Sequence, residues 1–75
     1  MTLEELEQLS DPNGFQPFAI ITQGGLGMEI PHSEFVDIPP DGASFITVYT
    51  TGRARVPRLI DLAAIDHIEF LAFEK

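Results

Sequence analysis

Between Phe15 and Phe73 the apolar residues fall largely on alternate positions, in short runs that each stop at a glycine, a proline or a polar turn cluster. Side chains of a strand point alternately to opposite faces, so this spacing describes strands with one buried side. Helical spacing is confined to the first ten residues, where Leu3, Leu6 and Leu9 follow at helical intervals. A chain patterned in this way is constrained to be mainly β, with one short helix at its start.

The punctuation places the elements. Thr2-Leu3-Glu4-Glu5 has the form of a capping box and predicts a helix over residues 3–9, with Glu4, Glu5 and Glu7 near the positive end of its dipole. Ser10-Asp11-Pro12-Asn13-Gly14 ends that helix and turns the chain. Residues 18–22 read as a first strand, ended by Gly24-Gly25, and residues 26–30 as a second, with Leu26, Met28 and Ile30 facing inward. The segment PHSEFVDIPPDG, rich in proline, is expected to be a structured loop anchored by Phe35 and Ile38. Residues 45–50 are β-branched and aromatic with both faces largely apolar, and form the third strand. Residues 56–62 form the fourth, where Pro57 argues for an edge position or a bulge. Asp61 is placed to cap a single helical turn over 61–65, and residues 67–73 form the fifth strand. One helix followed by five short antiparallel strands predicts a small closed or partly open barrel, which limits the exposed edges of the sheet.

Seventy-five residues make one domain. A chain of this size buries only about 60% of the surface it exposes when unfolded, so small domains commonly add disulfides, a metal or a partner chain. There are no cysteines. Disulfides and thiolate zinc sites are thereby excluded, and the composition fits a reducing compartment. The opening MTLEELEQLS has no basic segment leading into an apolar run, and no apolar stretch approaches the roughly 20 residues that span a bilayer. The reading is cytoplasmic. Net charge is −8, from 12 acidic against 4 basic residues. Phosphate-backbone binding relies on clustered Lys and Arg, so neither nucleic acid nor an anionic membrane is an expected partner. The 44% apolar content is high for a domain with so much surface, and suggests that another chain covers part of it.

In the order of its elements the chain resembles an SH3-like barrel and, more narrowly, an Sm-like one. LIDLAAIDHIEF is similar to the strand–turn–strand ending of those folds, and FAIITQGGLGMEI to their opening hairpin. PFAI together with PHSEF also resembles short bacterial proteins that carry a Pro-Phe start and a His-Pro-Glu-Phe-like motif after the second strand; Ser33 stands where they have the proline. The similarity covers about residues 15–73 and implies a five-stranded barrel behind an N-terminal helix. Sm-like proteins form rings and bind uridine- or adenine-rich RNA. This chain shows no Asp-Asn-Phe-like RNA-binding loop and is strongly acidic, so RNA binding is not carried over.

Arg53, Arg55 and Arg58 are three of only four basic residues, compressed into TGRARVPR. Alternation puts Arg53 and Arg55 on one strand face, while Pro57 displaces Arg58 from that register. Such a cluster reads either as a patch for carboxylates or phosphates, which suit the planar guanidinium, or as a solvated hairpin offsetting neighbouring acids. A further reading has the acidic Glu4-Glu5-Glu7 helix of one subunit meeting this hairpin in the next. Phe70, Leu71, Ala72 and Phe73 leave both faces of the last strand apolar, which fits an interface formed by strand addition, or a surface covered by Leu3, Leu6 and Leu9 of the helix. His32 and His67, with Glu34, Asp66 and Glu69 near them in sequence, lack any strong metal-ligand spacing. Ser10, Ser33 and Ser44 fall in turns, where capping is the common role, and Asp37 and Asp41 lie in a loop. Gly24-Gly25-Leu26-Gly27 leads into a strand and not a helix, so it is no phosphate cradle. A barrel this small fills its interior with side chains, so neither enzymatic activity nor a cofactor is expected. The leading expectation is a non-catalytic protein-binding or self-assembling module, with Arg53, Arg55, Arg58, Phe70, Leu71 and Phe73 as contact residues. The alternative is a small acidic inhibitor of the phage type that mimics nucleic acid and blocks a basic protein surface; a third is an Sm-like RNA-binding ring.

Overall fold

The structure, a computed structural model, describes residues 2–39 and 44–71. A single helix, α1 (Leu3–Leu9), opens the chain. Thr2 is its N-cap: the Thr2 hydroxyl accepts from the Glu5 amide at 3.2 Å, and the Glu5 carboxylate accepts from the Thr2 amide at 3.0 Å, so the capping box read in the sequence is formed. Six strands follow: β1 (Phe18–Thr22), β2 (Gly27–Ile30), β3 (Val36–Asp37), β4 (Phe45–Tyr49), β5 (Pro57–Asp61) and β6 (Ile65–Phe70). One 3-10 turn, Ser33–Phe35, separates β2 from β3, and another, Leu62–Ala64, separates β5 from β6. The second turn is the one expected before the last strand, and the Asp61 carboxylate caps it by accepting from the Ala63 amide at 2.9 Å.

The strands form two antiparallel three-stranded sheets, in the orders β2-β1-β6 and β3-β4-β5. This corrects the expected five strands in one barrel: there are six, and no closed barrel is present among the described residues. The additional strand lies in the segment read as a loop. There Phe35 and Ile38 anchor the chain half-buried against the core as expected, and Val36 between them enters the core and pairs with Val48. The 3-10 turn carries the chain from one sheet to the other, so what would be one long bent strand is divided in two.

One core lies between the sheets. Ile20, Met28 and Ile30 reach it from the first sheet and Val36, Ile46 and Val48 from the second, while Leu6 enters from α1. Leu26 does not join them; it is 53% exposed, contrary to its expected inward position. The cause is local. The hairpin loop closes on Thr22, whose amide donates to the Leu26 carbonyl and whose hydroxyl accepts from the Leu26 amide, so Leu26 belongs to the loop and the strand starts at Gly27. Gly25 in that loop has φ +88°, a conformation that other residues rarely adopt.

β6 contains a bulge. His67 pairs with Ile21 and Ile65 with Thr22, which leaves Asp66 as the extra residue. Plain alternation groups Ile65 with His67 and Glu69 on the outer face; the extra residue turns Ile65 over into the core, where it is 6% exposed. The last strand thus begins two residues earlier than the sequence implies, and its described part ends at Phe70 with Leu71 following. Gln23 fixes this junction from the first hairpin, its amide donating to the Ala64 carbonyl at 2.9 Å and its side chain to the Ala63 carbonyl at 3.1 Å. Among the described residues no helix is long and apolar enough to cross a membrane.

Candidate functional site

The three arginines end in three different environments. Arg53 and Arg55 lie in the bent connection between β4 and β5, so the expected strand face shared by the two does not exist. Thr50 closes that connection: its hydroxyl donates to the Ala54 carbonyl and accepts from the Val56 amide, both at 3.0 Å. The Arg55 guanidinium reaches back to the 3-10 turn, 3.2 Å from the Glu34 carboxylate and 4.5 Å from the centre of the Phe35 ring. This contact ties the connection to a neighbouring acid. Exposed pairs of this kind contribute roughly 0–1 kcal/mol.

Arg58 is different. It sits on β5 opposite Val48 of β4, and paired residues share a face, so Arg58 lies on the core-facing side of the sheet. Val48 is buried and Arg58 is not. The arginine lines a cavity of about 320 Å³ whose other walls include Met28, Glu29, Val48, Tyr49 and Thr51. Among the described residues its guanidinium has no carboxylate within 4.0 Å, although acids outnumber bases three to one in the sequence.

Of the four outer strands, β2, β3, β5 and β6, the last two carry large exposed apolar side chains. β5 pairs only with β4 and β6 only with β1, so each has one unpaired edge among the described residues. Pro57 opens β5, in keeping with the edge position read from the sequence. On the outward face of the second sheet Leu59 is 70% exposed and Phe45, its diagonal neighbour on β4, 40%. Phe70 pairs with Phe18, and so shares the core-facing side of the first sheet, yet it is 59% exposed where Phe18 is wholly buried. Leu6 enters the core and Leu3 and Leu9 pack on it, but α1 leaves Phe70 uncovered. Leu71 is half-buried, its amide donating to the Pro17 carbonyl at 3.1 Å. Phe73, expected with them as a contact residue, lies outside the described residues, as do Ala72 and Asp41. Leu59 is exposed but is not among the residues singled out from the sequence; its one signal there is an apolar position on a strand marked as an edge by proline.

The histidines lie apart, on either side of β1. His32 precedes the first 3-10 turn with its ring 6.1 Å from that of Phe35. His67 on β6 is held between two carboxylates, with Nδ1 2.6 Å from Asp66 Oδ2 and Nε2 2.9 Å from Glu69 Oε2. The carboxylates sit on opposite ring nitrogens and do not converge on a common point; no group of three or more His, Asp or Glu able to hold a metal ion occurs among the described residues. Both bonds need an N–H donor, and only the imidazolium supplies two. Glu69 and then Asp66 accordingly raise the His67 pKa above its ordinary value of about 6.5. A raised pKa means that the bridge contributes fully below the unfolded value and is lost as the pH rises through the folded one. An NMR titration of the His67 ring is expected to give a midpoint above 6.5 that falls in Glu69→Gln and shrinks toward the ordinary value in high salt. An unchanged midpoint in Glu69→Gln would mean that the bridge does not form in solution.

Comparison with known proteins gave no match: no family model, no curated protein and no solved structure matches this chain.

Proposed function

We propose that this chain is a non-catalytic module that assembles with copies of itself through the free edges of β5 and β6. The observation that carries the reading is that, of the four outer strands among the described residues, β5 and β6 each bear a large exposed apolar residue, Leu59 on one and Phe70 on the other. Natural sheets usually protect such edges with charge, bulges or covering loops. The two edges are also complementary in charge. Arg53 and Arg58 lie near the start of β5 with no carboxylate within 4.0 Å among the described residues, whereas Asp66 and Glu69, both bonded to His67, lie along β6. An edge of one kind meeting an edge of the other makes a head-to-tail contact, and such contacts close into rings when the rotation allows.

The two sheets, joined by the β2–turn–β3 run, are read here as the halves of an SH3-like, Sm-like small barrel whose second strand is broken by the 3-10 turn. On this reading assembly also adds the buried surface that a chain of this size lacks. Light scattering on the protein is expected to give a mass that is a multiple of 8.3 kDa, reverting to the monomer in Leu59→Lys. A concentration-independent monomer would remove self-assembly from the reading.

A further inference from the structure

The cavity beside Arg58 has two opposite charges on its walls that do not pair with each other. We infer that it binds a small zwitterion, a free α-amino acid with an apolar side chain, whose carboxylate meets Arg58 and whose ammonium meets Glu29. The inference goes beyond self-assembly and does not depend on it.

The strand faces set the arrangement. The cavity opens between β2, at the edge of the first sheet, and β4 and β5 of the second. Met28 and Val48 are core residues, 6% and 2% exposed, and form its floor. Arg58 pairs with Val48 and stands on the same face, at the inner wall. Glu29 and Tyr49 each follow a core residue by one position, which puts them on the outward faces of β2 and β4, and they form the rim.

Neither charge is neutralised by the chain. The ion pairs among the described residues join Arg55 to Glu34 and His67 to Asp66 and Glu69. Arg58 and Glu29 therefore have no oppositely charged partner within 4.0 Å there, each other included. Two charges that line one cavity and stay apart leave a gap for a ligand carrying the complementary pair.

Charge and size narrow the class. The chain carries −8, so its overall field repels a plain anion, however well Arg58 suits it. A plain cation meets Arg58 at the inner wall. A zwitterion has no net charge for the field to repel, and it answers both groups. Ligand clefts run from about 300 to 1,000 Å³, so a cavity of about 320 Å³ fits a ligand the size of one amino acid better than a nucleotide or a peptide. In an α-amino acid the carboxylate, the ammonium and the side chain diverge from a single carbon, as the inner wall, the rim and the floor diverge here. The planar guanidinium matches a carboxylate with two parallel hydrogen bonds, the Glu29 carboxylate accepts from the ammonium, and Met28 and Val48 cover an aliphatic side chain.

L-leucine is the probe, with 4-methylpentanoate and 3-methylbutylamine as the same molecule lacking one charge each. Titration of the full chain, followed by amide NMR, is expected to show saturable shifts at Gly27, Met28, Glu29, Tyr49 and Thr51 with millimolar leucine. Each half-molecule is expected to bind at least about 10-fold more weakly, as is leucine to Arg58→Gln and to Glu29→Gln. Arg58 and Glu29 are exposed, so both variants are expected to keep the wild-type urea midpoint, which separates lost recognition from lost folding. Absence of saturable shifts with leucine overturns the inference. So does 4-methylpentanoate binding as tightly as leucine, which would make this a plain anion site, or Glu29→Gln binding leucine normally.

Discussion

Truncating Phe18 to alanine is expected to leave the chain largely unfolded at room temperature. Phe18 is wholly buried, pairs with Ile30 on one side and Phe70 on the other, and packs its ring against Phe15 with centroids 5.9 Å apart. It thus sits in the central strand of the first sheet, where both neighbours and the core depend on its volume. Removing a buried phenylalanine ring costs about 3–5 kcal/mol, the transfer term plus the cavity left behind. At about 0.05–0.15 kcal/mol per residue, a chain of this length holds a total of roughly 4–11 kcal/mol. The loss is comparable with the lower half of that range. Urea unfolding followed by circular dichroism is the measurement, with Phe45→Ala as the control. Phe45 is of the same type but lies on the outward face and is exposed, so its truncation is expected to cost less than about 1 kcal/mol. Equal midpoints for the two variants would show that the sheets do not share one core.

The second large effect is expected at Leu6. α1 has seven residues, and isolated helices shorter than about 12–15 residues are marginal in water. The capping box contributes about 1 kcal/mol, too little to hold the helix by itself. Its existence therefore depends on docking, and Leu6 is the residue wholly buried in the core while Leu3 and Leu9 are only half-buried beside it. Leu6→Ala is expected to cost about 2–5 kcal/mol. Amide hydrogen exchange should show the α1 amides losing their protection before those of β1 and β4. Glu7→Ala, one residue on and exposed, is expected to stay within about 0.5 kcal/mol of the wild type. Protection of α1 surviving Leu6→Ala would mean that local helix-forming tendency, and not tertiary contact, holds it.

These two sites bear on assembly as well. A core that draws on one helix and two small sheets leaves Leu59 and Phe70 outside it, and the exposed surface sits at unpaired backbone edges. On the proposed self-assembly, stability and association are coupled, since binding of another copy to the folded form raises apparent stability with concentration.

Much of the fold was legible in the chain. Helical spacing and the Thr2–Glu5 capping box set α1 from residue 3 to residue 9, because capping is a local hydrogen-bond pattern. Alternation located the strands, Pro57 marked β5 as an edge, and Asp61 marked the turn before β6. Local chemistry could not show how the strands pair. The register of β1 against β6 joins residues nearly fifty positions apart, and the bulge at Asp66 that turns Ile65 inward exists only because of that pairing. Val36 looked like part of a loop because its run is only two residues long, and it becomes a strand through its partner Val48. The arginine cluster was visible as a cluster, but Arg55 went to Glu34 and Phe35 while Arg58 came to rest beside a cavity. The sequence by itself determined the helix and five of the six strand segments, since strand and turn preferences act over a few neighbouring residues. The tertiary structure decided which strands meet, which edges stay free and which charged side chains find partners, because those outcomes depend on distances between residues far apart in the chain.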